Sequence, residues 1–176
     1  MALSYNSASF LIVSLLSISF TLTIVKADLI DDVCSNAQKP ALCLSALRAD
    51  SRSKDANLEG LATISIDISL KNAQSARDLV NTLLKQATDP KLKTRYDSCL
   101  ENYNDAVDDL RGLPALLKSK DYGGLNIHAS AALDDPSTCD DNFSEPPAQS
   151  PQLKAASDNL QGLVGIILVI SNLLKG

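Results

Sequence analysis

Apolar residues recur at intervals of three and four positions along most of this chain, and that spacing is typical of amphipathic α-helices. The pattern is clearest after Asp89-Pro90, a pair that supplies an N-cap side chain and a proline suited to the first helical position. The stripe that follows consists of Leu92, Tyr96, Cys99, Tyr103, Val107 and Leu110. We therefore predict a helix from residue 89 to residue 111 that Gly112 ends.

The same spacing predicts helices at residues 30–37, 41–48, 57–88, 125–133 and 152–174. Residues 64–70 alternate apolar and polar side chains as a strand does, but their flanks keep the helical spacing and no turn residue separates them. We predict one helix over 57–88. Asp134-Asp135-Pro136 is expected to end the helix at 125–133, and residues 141–151, which include three prolines, are expected to form a loop.

These segments predict an all-α fold. The four principal helices lie within residues 57–174 and are joined mostly by short turns, which favours an up-and-down four-helix bundle. The two short segments on either side of Pro40 predict a helical hairpin within residues 28–50, ahead of the bundle.

The chain contains four cysteines: Cys34, Cys43, Cys99 and Cys139. An even number of cysteines behind a secretory signal is typical of disulfides. Three pairings are possible, and proximity in sequence favours Cys34–Cys43 together with Cys99–Cys139. A zinc site is disfavoured because no C-x-x-C spacing occurs and His128 is the only histidine. We expect neither a metal site nor a cofactor.

Residues 10–25 are apolar or hydroxylated throughout, and the small residue Ala27 follows at the position expected for cleavage by signal peptidase. We predict that residues 1–27 are a signal peptide and that residues 28–176 form one domain. A membrane anchor is the alternative, but this stretch is shorter than the roughly 20 predominantly apolar residues that a span requires. The mature chain is expected to be extracellular and to have no membrane partner.

The charge of the chain argues against one class of partner. It has 16 basic and 21 acidic residues, and residues 1–27 contain one of the basic ones, Lys26, and none of the acidic ones. Residues 28–176 therefore carry a formal net charge of −6. Nucleic acid is an unsuitable partner because its binding requires a basic surface. An acidic surface favours solubility or a basic protein partner.

The sequence does not predict an enzyme. Nucleophilic catalysis of the Ser-His-Asp or Cys-His kind requires a histidine beside the nucleophile, and His128 lies in a predicted helix where a surface position is expected. Acidic pairs such as Asp108-Asp109 point apart on a helix and do not form a general acid and base.

Four carboxylates of the predicted helix at 89–111 share one face. At 100° per residue, an arc of about 80° contains all of them, on the side opposite the apolar stripe. These residues, the acidic ridge, are Asp97, Glu101, Asp105 and Asp108. The ridge is either a solvated face or a surface that docks on a basic or amide-lined cleft, and the periodicity alone does not decide between them.

Asn142-Phe143-Ser144 is the only N-glycosylation sequon of the chain, and it lies in the predicted proline-containing loop. In a secreted protein Asn142 is a candidate acceptor for an N-linked glycan.

Six stretches of the chain match a known plant family. They are CSNAQKPALC at 34–43, IDISL at 66–70, QATDPKLKTRYDSC at 86–99, ENYNDA at 101–106, DYGGLNIHASAA at 121–132 and LVISNLL at 168–174. On these stretches the chain resembles the plant pectin methylesterase inhibitors, whose family also contains inhibitors of cell-wall and vacuolar invertase. The resemblance covers the whole of residues 28–176.

The resemblance implies a four-helix bundle with an N-terminal hairpin, bridged Cys34–Cys43 and Cys99–Cys139. It also implies a noncovalent one-to-one complex with a plant pectin methylesterase in the cell wall, in which one face of the inhibitor covers the pectin-binding cleft. By position that face comprises residues 61–83, 92–110 and 118–133. The contacts that the resemblance implies are Glu101, Asn102, Asp105, Asp121, Asn126 and Thr138.

Two other functions stay open. An invertase inhibitor would have the same fold and cysteines, but many such inhibitors carry Pro-Lys-Phe after an aspartate where this chain has Tyr122-Gly123-Gly124 after Asp121. A helical carrier of small apolar ligands would need a cavity among Leu61, Leu92 and Leu163, whereas regular apolar stripes are more typical of a filled core.

Overall fold

The computed structural model describes residues 28–176, and within this range the chain forms six α-helices, one short 3-10 helix and no strand. The helices are α1 (Leu29–Ser35), α2 (Pro40–Ala49), α3 (Leu58–Gln86), α4 (Pro90–Lys118), α5 (Tyr122–Asp141) and α6 (Pro151–Lys175), and the 3-10 helix at Ser51–Asp55 joins α2 to α3. The predicted signal peptide, residues 1–27, lies outside the described residues.

The four long helices form a ring in which α3 and α5 each pack against both α4 and α6. Because only three residues connect α3 to α4 and only three connect α4 to α5, consecutive helices run antiparallel. Helices α1 and α2 pack against each other, and α2 also contacts α3 and α6. The predicted all-α fold, an up-and-down four-helix bundle with an N-terminal helical hairpin, is confirmed.

One continuous apolar core holds the helices together. Its large side chains with the least exposure come from α2 to α6: Leu47, Leu61, Ile66, Tyr103, Leu110, Leu113, Leu125, Leu153, Leu160, Ile166, Ile167 and Ile170. Helix α6 is long and apolar enough, by length and composition alone, to span a membrane. Its apolar stripe nevertheless lies inside the bundle, which accounts for its hydropathy.

Both predicted disulfides are present. Cys34–Cys43 links α1 to α2, and Cys99–Cys139 links α4 to α5 across 40 residues of sequence. On the loop-entropy model a bridge that closes a loop of this length stabilises the folded chain by about 4 kcal/mol relative to the unfolded one.

The strand-like stretch at residues 64–70 is helical, as predicted, because burial in the bundle determines its conformation. Ile64 and Ile66 are buried, and the neighbouring Ser65 is buried as well. The Ser65 hydroxyl donates a hydrogen bond of 2.8 Å to the Leu61 carbonyl one turn earlier. A serine whose hydroxyl is satisfied within its own helix can occupy a core position.

The predicted end of the long helix at Gly112 is wrong, because α4 continues to Lys118. The apolar stripe continues through Leu113 and Leu117, which are buried, so that tertiary packing outweighs the weak helix propensity of glycine. Pro114 also lies inside α4, on its exposed side.

The predicted end of the next helix at Leu133 is wrong as well, because α5 runs from Tyr122 to Asp141 and passes through Asp134-Asp135-Pro136. Pro136 and Cys139 are buried on the side of α5 that also carries Ala129 and Ala132. Burial of this side and the bridge to α4 keep the segment helical beyond the proline. The predicted loop is consequently shorter and covers residues 142–150.

We expect Gly112→Ala to raise the free energy of unfolding by about 1 kcal/mol, the difference in helix propensity between the two residues. Gly112 is exposed, and a Cβ built there meets no atom within 4 Å. Thermal denaturation should show a midpoint about 3 °C higher, given the size of the domain.

Gly124→Ala is the matched control. A Cβ at residue 124 would lie 2.6 Å from Asp121 Oδ2, so that the side chain that caps α5 has to move. The midpoint should fall for this variant. A rise of equal size in both variants would contradict the assignment of Gly112 to an unobstructed helix interior.

Candidate functional site

The most distinctive surface of the bundle follows the line along which α4 and α5 pack. Three links fix their antiparallel register: the Asn142 Nδ2 atom lies 3.3 Å from Ser98 Oγ, Cys99 is bonded to Cys139, and His128 Nδ1 lies 2.7 Å from Asp109 Oδ1. Residue numbers therefore rise along α4 as they fall along α5. We call this line the α4–α5 seam. It contains Ser98, Asn102, Asp105 and Asp109 from α4, and His128, Asp135 and Thr138 from α5 together with Asn142, the C-terminal cap of α5.

The acidic ridge borders the seam. All four of its residues are exposed, as the sequence predicted. Asp108 forms an ion pair of 2.8 Å with Arg111 one turn later. Within the described residues Asp97, Glu101 and Asp105 form no ion pair, so three adjacent carboxylates present their charge to solvent.

A shallow groove of about 650 Å³ lies between α4 and α5 in the middle of the seam. Its walls include Asp105, Asp109, His128 and Asp135. One carboxylate oxygen of Asp135 is buried and has no hydrogen-bond partner within residues 28–176. Burial, and next the negative charges of Asp105, Asp109 and Asp134, raise the pKa of Asp135 to about 7.

His128 was predicted to lie on the surface, and it does so at the rim of this groove. Because His128 contacts Asp109, the neighbouring carboxylates Asp108 and Asp109 have different surroundings. Asp108 points to solvent and to Arg111, whereas Asp109 turns toward α5 and keeps only 24% of its side chain exposed. The sequence prediction that adjacent acids on a helix point apart is confirmed for this pair.

Four of the six residues implied as contacts lie together. Glu101, Asn102 and Asp105 belong to consecutive turns of α4, and Thr138 lies one turn before Asn142 on α5. The register of the two helices places Thr138 level with Asn102. Glu101, Asp105 and Thr138 are exposed, whereas Asn102 is half-buried and its amide oxygen accepts no hydrogen bond from the part of the chain that the structure describes.

The other two residues lie elsewhere. Asp121 is at the opposite end of α5, where its carboxylate caps the helix by accepting a hydrogen bond of 2.8 Å from the Gly124 N–H. Asn126 faces α6, because its amide donates hydrogen bonds to Ser171 Oγ at 2.7 Å and Asn172 Oδ1 at 3.2 Å. The structure therefore does not bring Asn126 to the α4–α5 seam.

Sequence reasoning missed the group formed by Asp109, His128 and Asp135. Two signals were present: Asp105 and Asp109 are four residues apart on one helix, and His128 and Asp135 are seven apart on another. Spacings of four and of seven residues both place side chains on one face of a helix. The second spacing was not recognised because the predicted helix ended at residue 133, which left Asp135 outside it. Within residues 28–176 no group of three or more His, Cys, Asp or Glu side chains has an arrangement suited to holding a metal ion.

Comparison with known proteins places this architecture in a family. The model of the plant invertase/pectin methylesterase inhibitor family matches residues 28–170. The chain belongs to that family. Its curated relatives are named as inhibitors, and the chain is accordingly assigned as a non-enzyme.

The relatives include inhibitors of two kinds. The chain is 46% identical over 183 residues to the pectinesterase inhibitor of kiwifruit, Actinidia deliciosa, an alignment that covers 100% of this chain and 99% of that protein. It is 32% identical over 142 residues to pectinesterase inhibitor 2 of Arabidopsis thaliana, with 81% of this chain and 82% of that protein covered. A putative invertase inhibitor of Platanus orientalis is 34% identical over 169 residues, with 90% and 99% covered.

A solved structure has the same fold. The crystal structure of mutant form A of a pectin methylesterase inhibitor from Arabidopsis superposes with a TM-score of 0.74 at 30% identity, and the match covers 81% of this chain and 95% of that one. Membership of the family and the helical bundle are thus supported by sequence and by structure.

Asp135 should make the stability of the bundle depend on pH. Its pKa is 3.8 in the unfolded chain and about 7 in the folded one, so the folded state binds more protons between these values and loses stability as the pH rises through them. We expect Asp135→Asn to raise the thermal midpoint at pH 8 by a few degrees. The gain should shrink as the pH falls and vanish below about pH 4.

Asp97→Asn is the control, since it removes an exposed carboxylate of α4 that lies outside the groove. Thermal midpoints of both variants and of the unchanged chain, measured from pH 4 to pH 8, test the assignment. Equal gains for the two variants at every pH would contradict it.

Proposed function

We propose that this protein is a secreted inhibitor of plant pectin methylesterase that acts in the cell wall after removal of residues 1–27. The observation that carries the proposal is the identity of 46% along the full length of a kiwifruit protein named as a pectinesterase inhibitor. The apolar stretch at residues 10–25 and the two disulfides are consistent with an oxidising, extracellular environment.

The inhibitor binds the esterase in a noncovalent one-to-one complex. Helix α4 lies between α3 and α5 in the ring, so these three helices present one surface with the acidic ridge along it. This surface covers the pectin-binding cleft and keeps the polymer from the catalytic residues. The contacts on the inhibitor are Glu101, Asn102, Asp105 and Thr138 on or beside the seam, with Asp121 and Asn126 farther along α5.

The unpaired charges of the ridge support a docking role. Like charges three or four residues apart on a helix repel by a few tenths of a kcal/mol per pair, and among the described residues no ion pair of Asp97, Glu101 or Asp105 offsets this. Basic or amide groups of a partner would offset the repulsion and use the carboxylates as hydrogen-bond acceptors. The half-buried Asn102, with its unsatisfied amide oxygen, offers a further acceptor.

Inhibition of an acid invertase is the second candidate, favoured by the 34% identity to a putative invertase inhibitor of Platanus orientalis. The first turn of α5 argues against it, since Tyr122-Gly123-Gly124 stands where the resemblance associates Pro-Lys-Phe with many invertase inhibitors. The carrier hypothesis lacks support, because Leu61 and Leu163 pack within the continuous core.

Titration of the secreted, disulfide-bonded protein against a plant pectin methylesterase and, in parallel, a plant acid invertase tests the proposal. We expect loss of esterase activity at near-equimolar inhibitor with invertase unaffected. Inhibition of invertase alone would mean that the chain is an invertase inhibitor. No effect on either enzyme would contradict both functions.

We expect the double variant Glu101→Ala, Asp105→Ala to weaken inhibition of the esterase at least tenfold, since removing one partner of a charge pair buried at an interface costs about 2 kcal/mol or more. Both side chains are exposed, so the fold should not suffer. Inhibition constants and helical circular dichroism are measured together.

The matched control is Asp32→Ala, Asp55→Ala, which removes the same charge from exposed positions in α1 and in the 3-10 helix, outside the proposed face. It should inhibit as the unchanged chain does. An equal effect of the two double variants would mean that net charge, and not the ridge, controls binding.

A further inference from the structure

The sequon Asn142-Phe143-Ser144 lies at one end of the α4–α5 seam. Asn142 is the C-terminal cap of α5, and its backbone N–H donates to the Cys139 carbonyl at 3.2 Å. The Ser144 N–H donates to the Asp141 carbonyl at 3.2 Å. The sequon is therefore held in a tight turn directly after the helix.

The Asn142 side chain faces α4 at the edge of the protein. It is half-buried, and its amide nitrogen donates one hydrogen bond, to Ser98 Oγ at 3.3 Å. That nitrogen carries two hydrogens, so one remains for substitution while the other keeps the contact with Ser98. Asp141, Ser144 and Glu145 around it are exposed, which leaves space for a sugar.

The residues next to Asn142 keep this end of the loop in place. The Phe143 ring packs against the Tyr96 ring with centroids 5.5 Å apart, and the Arg95 guanidinium lies 5.6 Å from its centroid. Arg95 also donates hydrogen bonds to the carbonyls of Glu145 at 2.7 Å and Pro147 at 2.6 Å. With Phe143 turned toward α4, the position of Asn142 relative to the seam is fixed.

We propose that Asn142 carries an N-linked glycan and that this glycan covers the end of the α4–α5 seam that contains Ser98, Glu101 and Asn102. In the transfer, Nδ2 of Asn142 attacks C1 of the first sugar of a lipid-linked oligosaccharide diphosphate. A bond forms between C1 and Nδ2, the bond from C1 to the diphosphate oxygen breaks, the lipid diphosphate leaves, and one amide hydrogen is lost as a proton.

Transfer precedes the completion of folding. In the folded chain the asparagine amide already contacts Ser98, and Cys139, three residues earlier, is bonded to α4. A transferase can reach the sequon only while this segment is extended. The glycan stays attached to Asn142 while the chain folds, and its first sugar then projects outward from the end of the seam.

The position of the glycan has a consequence for binding, and this consequence rests on the proposed function. Glu101 and Asn102 lie within about one helical turn of Ser98 on α4. A glycan rooted beside Ser98 restricts approach to that end of the proposed face. The attached sugar is therefore expected to slow association with the esterase without changing the contacts themselves.

Occupancy is tested with the full-length chain secreted from plant cells. Two variants change only the third residue of the sequon: Ser144→Thr preserves it and Ser144→Ala destroys it, and both leave Asn142 in place. Intact mass should show a glycan on the unchanged chain and on Ser144→Thr but not on Ser144→Ala. An amidase that releases plant N-glycans, used in ¹⁸O-water, should convert Asn142 to a labelled aspartate. A secreted chain without the added mass would overturn the proposal.

Coverage of the seam is tested without any esterase, by carbodiimide labelling of carboxylates before and after enzymatic removal of the glycan. Labelling of Glu101 should rise at least about twofold on removal, because a bulky surface glycan obstructs the reagent. Labelling of Asp32, on α1, should stay constant. Unchanged labelling of Glu101 would show that the glycan projects away from the seam and would overturn that part of the proposal.

The effect on the esterase is measured last. Association of the glycosylated chain should be roughly three- to tenfold slower than that of Ser144→Ala, within the range of association rates found among variants of one interface. Equal rates would contradict the steric effect. If neither form inhibits an esterase, the proposed function fails, whereas the mass and labelling results still decide the glycan and its position.

Discussion

The bond between Cys99 and Cys139 is the constraint on which the candidate site depends. It joins the first half of α4 to the last turn of α5 and so fixes the register of the two helices. With that register set, helical geometry alone brings Asp109 to His128 and Ser98 to Asn142. A shift of α5 by one turn would give the carboxylates and amides of the seam different partners.

The loop between α5 and α6 is held by polar contacts in addition to the packing of Phe143 on Tyr96. Asp140 accepts hydrogen bonds from Ser157 Oγ at 2.8 Å and Gln149 Nε2 at 2.7 Å, and it forms an ion pair of 3.3 Å with Lys154. At the other side of the loop, Arg95 holds its carbonyl groups. Three helices are thereby connected through one loop, which is why a segment with two adjacent prolines and no secondary structure has a defined position at the end of the seam.

Local sequence was sufficient to predict the fold class, the order of the helices and the starts of α3 and α4 beside Asn57 and Asp89, whereas it placed the starts of α5 and α6 three residues and one residue too late, at 125 and 152. It failed at the two C-termini where glycine or proline was expected to end a helix. There burial of Leu113 and Leu117 in α4, and of Pro136 and Cys139 in α5, outweighs local propensity. The acidic ridge was predictable because it lies on one helix. The groove was not, because Asp135 and Asp109 meet only through the register of α4 and α5.

The corner between α4 and α5, residues 119–124, is anchored by two hydrogen bonds. Gly124 lets the Asp121 carboxylate reach the first turn of α5, where any side chain at residue 124 would collide with it. The Tyr122 hydroxyl donates a hydrogen bond of 2.7 Å to Glu59 at the start of α3, which ties the corner to a third helix. A different sequence after Asp121, such as Pro-Lys-Phe, would remove both the tyrosine tie and the glycine. Because the corner is anchored at two points, such a change would alter the shape of a fixed surface, and a partner that fits one shape would be expected to reject the other.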